Sequence, residues 1–300
     1  MASSSQPDLT DGIDYWSSQP ASLDGVLGGF GTGSLPRVDA LGSRLFLLHL
    51  FPELSTVDSA LKPLDKPHLS HRIRALDVGA GIGRVTADVL LFLVSDVLLL
   101  EPVTPFVQEA LARARHAAAT PQRNWRGLAD QHTSVTFVQG TLQDFDPAHP
   151  LANPPAKFLQ RVGYSPGKPL EDVDSGFDVI WCQWCLGHLN DVQLVEFFKR
   201  SHAALREKDK GNSLIVVKEN VCSDAADGGP KSSFDDQDSS LTRSDSDGLV
   251  SLGSRLTVRN DRSDSAWKAV FTQAGLRLVR EQVQEGLPEG LYTVKMYALR

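Results

Sequence analysis

Three glycines in close succession, Gly79, Gly81 and Gly83, follow an apolar segment at 73–78 that is typical of a buried strand. Glycine lets a backbone turn sharply and approach a bound ligand closely. A second apolar segment ends in Glu101, at the place where an acid can accept hydrogen bonds from ribose hydroxyls. This order of strand, glycine turn, helix and distal acid predicts a site for a cofactor that carries a nucleoside.

The spacing of the glycines indicates which cofactor this is. A phosphate-binding fingerprint places its third glycine later, whereas Asp77 and the three glycines form a tighter D-x-G-x-G-x-G arrangement, which is typical of S-adenosylmethionine sites. The backbone N–H groups of such a turn meet an amino-acid carboxylate and a ribose rather than a pyrophosphate. The structural alternative is a tight strand-to-helix turn that binds no ligand.

Six candidate residues, five of them polar or aromatic, end or follow the later apolar segments. At or after the ends of the predicted strands at 134–139, 177–183 and 213–219 these residues are Leu142, Gln143, Gln183, Trp184, His188 and Asn220. Because ligands bind at the carboxyl ends of parallel strands, we expect these residues at one edge of the sheet, with residues 142–145 near the adenine. Core packing for Trp184 and a capping role for His188 are the structural alternatives.

Two further features have structural explanations that composition favours. Residues 235–240 read Asp-Asp-Gln-Asp-Ser-Ser, which by composition alone indicates a solvated acidic loop. Cys182 and Cys185 form a C-x-x-C without a second pair, so buried thiols are favoured over a zinc or redox site.

The elements that must position these residues alternate between strand and helix. Predicted strands lie at 73–78, 96–101, 134–139, 177–183 and 213–219, with predicted helices at 83–94, 104–119, 191–206 and 263–274. This alternation indicates a mainly parallel sheet covered on both faces. Residues 276–300 indicate a hairpin whose last strand is antiparallel. We therefore predict an α/β fold with the seven-stranded, Rossmann-like sheet of class I methyltransferases and a terminal antiparallel hairpin.

The same pattern predicts one methyltransferase domain over residues 13–300. An N-terminal helical cap over 13–70 precedes the first strand, and the Ser- and Asp-rich residues 1–12 indicate a disordered tail. The segments near 146–175 and 241–262 lack core-forming residues, and we expect them to be flexible insertions.

Charge and hydropathy exclude some classes of function. The net charge of −7 argues against a protein that binds nucleic acid by neutralising phosphates, and it is compatible with a basic protein or peptide as substrate. No apolar run reaches about 18 residues, so we predict no membrane span.

Together these motifs resemble the protein alpha-N-terminal methyltransferases, which methylate the α-amino group of proteins whose processed ends read Xaa-Pro-Lys. The resemblance covers residues 14–300 apart from the two insertions. Its most specific parts are Leu-Asp-Gly-Val-Leu-Gly-Gly at 23–29, Trp-Cys-Gln-Trp-Cys-Leu-Gly-His-Leu at 181–189, and the carboxyl-terminal segments 287–292 and 297–300.

The resemblance implies a role for each candidate residue. The residues implied to hold S-adenosylmethionine are Gly79, Gly81, Arg84, Glu101, Leu142, Gln143 and Gln183, with Arg84 on its carboxylate. The implied walls of the substrate channel are Trp16, Trp184, Asn220 and Tyr292, and the implied receivers of the lysine are Asp235, Asp238 and Ser240. His188 and Asp238 are implied to act as the general-base pair near the amine, with Asn220 in the same catalytic set. Glu101 and Glu219 stand where the family more commonly has Asp.

We further expect a monomer in the cytoplasm, the nucleus or both, with protein or peptide substrates, ribosomal proteins among the candidates, and no nucleic acid, membrane or metal. Two alternatives stay open: a methyltransferase for a small molecule, and a non-catalytic scaffold that binds S-adenosylmethionine. A nicotinamide dehydrogenase is disfavoured by the glycine spacing and the terminal hairpin.

Replacing Asp238 with Asn tests the implied base. We expect Asp238→Asn to reduce kcat by about a hundredfold or more, because a positioned proton acceptor contributes about 10²–10⁴-fold. Affinity for S-adenosylmethionine, measured by calorimetry, should stay close to that of the wild type. A parallel loss of cofactor affinity would mean that the acid is structural.

Overall fold

The structure is a computed structural model that describes residues 6–55, 71–152, 156–168, 170–206, 211–222, 233–235, 239–242 and 262–300. For 233–235 and 240–242 it describes only the backbone. Within these ranges, no helix combines the length and the apolar character that a membrane span requires.

Three helices precede the sheet: α1 (Leu9–Ser18), α2 (Leu23–Val26) and α3 (Leu35–Leu50). The first of them corrects the predicted disordered tail for residues 8–12, whereas residues 1–5 lie outside the described residues. Asp8 is the N-cap of α1, and its side chain accepts hydrogen bonds from the N–H groups of Thr10 and Asp11 at 2.8 and 3.1 Å. The polar composition that indicated disorder therefore contained a helix-capping signal.

Eleven strands occur among the described residues: β1 (Arg74–Val78), β2 (Asp96–Glu101), β3 (Ser134–Gln139), β4 (Lys157–Gly163), β5 (Val179–Gln183), β6 (Leu214–Cys222), β7 (Ser233–Asp235), β8 (Ser240–Thr242), β9 (Arg262–Ser263), β10 (Leu278–Val283) and β11 (Thr293–Leu299). Nine of them form one sheet in the order β10-β11-β6-β5-β1-β2-β3-β4, with β9 beside β6. β3, β2, β1, β5 and β6 are mutually parallel, and β11 is antiparallel to β6. All seven predicted strands are present, and the predicted fold class and terminal hairpin are confirmed, although β4 and β9 make the sheet nine-stranded rather than seven-stranded.

β4 corrects the prediction that 146–175 is a flexible insertion. It pairs antiparallel with β3, and Arg161 donates hydrogen bonds to Asp172 at 2.7 Å and to Ser134 at 3.0 Å. An edge strand need not be apolar on both faces, and Phe158 is 39% exposed. The segment therefore lacks the continuous apolar run that indicates a central strand.

The second predicted insertion, 241–262, is structured at both of its ends. Residues 241–242 belong to β8, which pairs with β7, and Arg262 begins β9. The Arg262 guanidinium is buried and donates to the Leu189 carbonyl at 2.8 Å. Residues 243–261 lie outside the described residues, so the prediction stays untested for them.

The parallel strands are buried on both faces. Ala75, Val97 and Leu99 point into one core cluster, whereas Leu76 and Leu98 point into the other. The helices that follow the strands are α4 (Arg84–Asp88), α5 (Thr104–Ala119), α6 (Asp191–Ala203) and α7 (Asp264–Gln273). α4 is shorter than predicted and is followed by a 3₁₀ turn at Leu90–Phe92.

Gly163→Ala tests whether β4 is held as described. Gly163 has a φ of 90°, and a Cβ there would lie 2.2 Å from the Thr133 carbonyl oxygen. We expect a loss of about 2–3 kcal/mol in the free energy of unfolding, measured by urea denaturation. Gly33→Ala is the control, because a Cβ at Gly33 meets nothing within 4 Å. Equal effects of the two changes would contradict the pairing of β4 at this position.

Candidate functional site

A pocket opens at the carboxyl edge of the parallel strands. It contains about 980 Å³ of space free of protein atoms, part of it open to solvent. Ten of the predicted site residues line it: Trp16, Gly79, Gly81, Arg84, Glu101, Leu142, Gln143, Gln183, Trp184 and His188. The sheet thus brings together residues that are far apart in the sequence, while the role of each one stays a prediction.

The glycine turn forms the floor of the pocket. Gly79 has a φ of 59°, and a Cβ there would lie 2.4 Å from Cys185 Cβ, so only glycine fits against the loop after β5. The Gly81 N–H donates to Glu101 Oε2 at 2.7 Å, and the Val103 N–H donates to Glu101 Oε1 at 2.8 Å. Because each carboxylate oxygen carries two lone pairs, Glu101 could also accept hydrogen bonds from ribose hydroxyls.

Burial changes the acidity of two carboxyls in the pocket. It raises the pKa of Glu101 to about 7, although the N–H groups of Val103 and Gly81 oppose that rise. Burial also raises the pKa of Asp77 to about 6, against a hydrogen bond of 2.6 Å from Thr86 Oγ1. Bound hydroxyl donors would favour the ionised form of Glu101.

Arg84 and Gln183 meet at a buried carboxylate of the cap helix α3. Asp39 Oδ2 accepts a hydrogen bond of 2.5 Å from Arg84 Nη1, and Gln183 Nε2 lies 2.9 and 3.1 Å from the two Asp39 oxygens. The Lys218 ammonium, also buried, lies 2.6 Å from Asp39 Oδ1. Burial alone would raise the pKa of Asp39, but Lys218 and Arg84 together lower it to about 2. Asp39 is therefore ionised.

A mostly apolar part of the pocket lies after β2 and β3. Val103, Phe106 and Leu142 line it and are buried, and their apolar side chains could hold an adenine ring. The Thr141 hydroxyl is buried there and has no hydrogen-bond partner among the described residues. The neighbouring Gln143 donates from Nε2 to the His188 carbonyl at 3.1 Å, which ties this part to the loop after β5.

Two tryptophans border the side of the pocket on which the predicted catalytic residues lie. The Trp16 indole N–H, from α1, donates to His188 Nε2 at 3.1 Å, so this nitrogen carries no proton in this arrangement. The Trp184 indole N–H donates to Asn220 Oδ1 at 3.1 Å. Trp184 has a φ of 55°, which is unusual for a bulky residue and turns the chain away from the strand.

Glu219 holds the turn that carries His188. Its Oε1 accepts hydrogen bonds from the N–H groups of Cys185 at 3.0 Å and Leu186 at 3.2 Å. Burial raises the pKa of Glu219 to about 7. The side chain thus caps the 3₁₀ turn at Leu186–His188 from inside the protein.

The predicted lysine site adjoins this turn, as far as the structure describes it. Asp235 and Ser240 are opposite each other in the β7–β8 hairpin, and β8 packs against the Leu186–His188 turn. Asp238 lies outside the described residues. Tyr292 precedes β11 and is 38% exposed, and it is not among the residues that line the pocket.

Comparison with known proteins identifies the family. A family model described as AdoMet-dependent proline di-methyltransferase matches residues 5–251 and 257–300. The alpha N-terminal protein methyltransferase 1 of Schizosaccharomyces pombe is 32% identical, over 97% of this chain and 94% of its own length. The human N-terminal Xaa-Pro-Lys N-methyltransferase 1 is 30% identical, over 95% of this chain and 92% of its own length. A solved S-adenosylmethionine-dependent methyltransferase of Leishmania major has a TM-score of 0.62 and 27% identity, over 97% of this chain and 82% of that chain.

The chain belongs to this methyltransferase family. Membership confirms the resemblance drawn from the sequence and the S-adenosylmethionine-dependent activity. The residues of the pocket fit the cofactor chemically. A guanidinium at Arg84 suits its carboxylate, the carboxylate of Glu101 suits its ribose, and the apolar side chains after β2 and β3 suit its adenine.

Sequence reasoning missed several residues of this methyltransferase pocket. Asp39 lies in an amphipathic helix, where a single acid looks like part of a solvated face. Leu9, Gly12 and Ile13 of α1 line the pocket. The first two of them lie in the segment 1–12 that was predicted to be disordered. A signal was available, because Asp8 precedes an apolar periodicity in the way that an N-cap does. Cys182 and Cys185 are buried free thiols, whereas Cys222 is only partly buried.

Glu219→Gln tests the pKa of the buried acid. The native protein keeps the Glu219 proton up to about pH 7, whereas the unfolded chain loses it near the ordinary pKa of 4.5. The wild type therefore loses stability as the pH rises between these two values, by at most about 3 kcal/mol. Glutamine keeps an Oε1 acceptor but does not titrate. Urea denaturation at pH 5 and pH 8 should show that the variant gains stability relative to the wild type at the higher pH.

Glu289→Gln, the same change at an exposed side chain, is the control for this comparison. A difference between Glu219→Gln and the wild type that is equal at both pH values would contradict the raised pKa.

Proposed function

We propose that the protein transfers methyl groups from S-adenosylmethionine to the α-amino group of proteins whose processed N-termini read Xaa-Pro-Lys. The observation that carries this proposal is the position of the β7–β8 hairpin. Asp235 and Ser240 are backbone partners in it, and it packs against the turn that bears His188. An acidic hairpin beside an imidazole at the pocket suits a substrate with a free amine and a nearby cation.

The residues at the pocket would have three tasks. When bound, the cofactor supplies a methyl group on a sulfonium, which is a good leaving group. Arg84, Gln183 and Glu101 would hold it, and Trp16 and Trp184 would border the path of the substrate. The amine must lose its ammonium proton before it attacks the methyl carbon, and its unperturbed pKa of about 7.7–8.0 makes one carboxylate or imidazole acceptor sufficient.

His188 supports the assignment of the proton acceptor. Its Nε2 already accepts a hydrogen bond from the Trp16 indole N–H, so the imidazole is oriented from the cap helix. Because an indole N–H can only donate, the contact favours the neutral ring with its proton on Nδ1, and Nε2 would accept the proton of the amine only after the indole N–H has moved away. Asp238 would share this task as the second member of the pair, and Asn220 would fix the neighbouring Trp184. The monomeric state and the cytoplasmic or nuclear location stay predictions.

Three synthetic peptides test the proposal by mass spectrometry after incubation with the protein and S-adenosylmethionine. The first begins Ser-Pro-Lys-Arg, the second is the same peptide with an acetylated amine, and the third has glutamate in place of the lysine. We expect a mass gain in whole methyl steps on the first peptide and none on the acetylated peptide, with the number of steps giving the product state. The glutamate peptide should react at least about tenfold more slowly, because a cation would be replaced by an anion beside an acidic hairpin.

Other outcomes would contradict the proposal in distinct ways. Methylation of the acetylated peptide would identify the lysine side chain as the acceptor. No methylation of any peptide by protein that binds the cofactor would favour a small-molecule substrate or a non-catalytic scaffold.

A further inference from the structure

Asp39 contacts side chains from three different elements next to the cofactor pocket, and no sequence motif indicated this residue. It lies on α3, outside the sheet, and it is fully buried. Its two carboxylate oxygens meet Arg84, at the start of α4, Gln183, at the end of β5, and Lys218, in β6. Two of these three partners, Arg84 and Gln183, also line the pocket, whereas Asp39 and Lys218 do not.

The Lys218 ammonium has protein partners for all its N–H groups, so it has no donor left for a ligand. Its ammonium lies 2.6 Å from Asp39 Oδ1 and donates to Ser43 Oγ at 2.9 Å and to Gln284 Oε1 at 2.8 Å. An ammonium has three donors, so these contacts use all of them. Lys218 therefore acts on Asp39, which it keeps ionised and in place, and not on the pocket.

Arg84 is held differently. Within the part of the chain that the structure describes, its one hydrogen bond to a side chain is donated by Nη1 to Asp39. A guanidinium has five N–H donors in a fixed planar fork, so fixing Nη1 also sets the direction of Nε and Nη2. Gln183 is fixed in a similar way, because Nε2 donates to Asp39 and Oε1 accepts from the Trp181 indole N–H at 3.1 Å.

We propose that Asp39 is a positioning residue of the cofactor site, which orients Arg84 and Gln183 toward the amino-acid end of S-adenosylmethionine while Lys218 holds Asp39 in place. The proposal rests on the cofactor and not on the peptide substrate. Asp39 does not touch the pocket itself. Its effect should therefore be confined to the part of the cofactor that Arg84 and Gln183 can reach.

Two ligands separate this effect from a general loss of the pocket. S-adenosylhomocysteine has the amino-acid end, whereas 5′-methylthioadenosine has the same nucleoside without it. We expect Asp39→Asn to lower the affinity for S-adenosylhomocysteine by about tenfold to a hundredfold. This is the range for the loss of a charge-assisted hydrogen bond. Affinity for 5′-methylthioadenosine, measured by the same calorimetry, should be unchanged. An equal loss for both ligands, or a loss for neither, would overturn the proposal.

A second variant distinguishes orientation from stability. Asp39→Asn leaves Lys218 buried without its carboxylate, and breaking a buried ion pair from one side is strongly destabilising. Adding Lys218→Met removes the stranded ammonium, so the double variant should recover a large part of the lost Tm. Its affinity for S-adenosylhomocysteine should stay low, because Arg84 still lacks the carboxylate that orients it. Recovery of affinity together with Tm would mean that Asp39 has only a structural role.

Asp178→Asn is the matched control. Asp178 is also a buried aspartate in an ion pair, at 3.0 Å from Arg206 Nη1, but it lies before the start of β5, at the opposite edge of the sheet. We expect this variant to lose stability and to keep its affinity for S-adenosylhomocysteine. Loss of affinity in the control would overturn the inference that orientation by Asp39 is specific. The binding measurements contain no peptide, so they do not depend on the proposed substrate. Wild-type protein that binds both ligands but methylates no peptide would refute the proposed substrate and leave this test valid.

Discussion

Burial of the parallel strands on both faces determines where polar chemistry can occur in this protein. An unpaired charge in the interior of such a sheet would lose its hydration without compensation. The three buried acids Asp77, Glu101 and Glu219 accordingly all accept hydrogen bonds. Asp77 accepts from Thr86, Glu101 from two backbone N–H groups, and Glu219 from two others. The strands can therefore carry buried acids beside the pocket, as they carry the Asp178–Arg206 ion pair at the opposite edge of the sheet.

The N-terminal helices α1 and α3 pack against the carboxyl edge of the sheet and contact its polar residues. α1 brings Trp16 to His188, and α3 brings Asp39 to Lys218, which is 179 residues away in the sequence. A buried ion pair is weak evidence for stability, since apolar side chains of similar size can serve as well. What apolar side chains could not do is orient a guanidinium and an amide. The cap is therefore part of the binding site as well as its cover.

The sequence predicted the parts of the site that depend on local signals. The glycine turn follows β1 and Glu101 ends β2, the next strand along the chain, and their order alone indicates a nucleoside site. Asp39 could not be found in this way, because its partners come from three other elements and nothing in α3 distinguishes a buried acid from a solvated one. β4 was missed for a related reason, since an edge strand with exposed Phe158 lacks the apolar run of a central strand. In both cases the decisive contacts are long-range.

Trp184 joins the predicted cofactor residues to the predicted catalytic residues. Its ring lies 5.4 Å from the Arg84 guanidinium, and its indole N–H donates to Asn220, so one side chain contacts a predicted cofactor residue and a predicted catalytic residue. To reach both, its backbone adopts a left-handed conformation, which costs about 1–3 kcal/mol in a bulky residue. The backbone N–H of Trp184 donates to the Lys218 carbonyl, and Glu219 accepts from the backbone N–H groups of the next two residues. These three hydrogen bonds offset the cost. β6 thus fixes the turn with its backbone and Glu219, while Lys218 fixes Asp39 with its side chain. Arg84 and Gln183, through Asp39, and the turn that carries His188, through Glu219, therefore share β6 as one support.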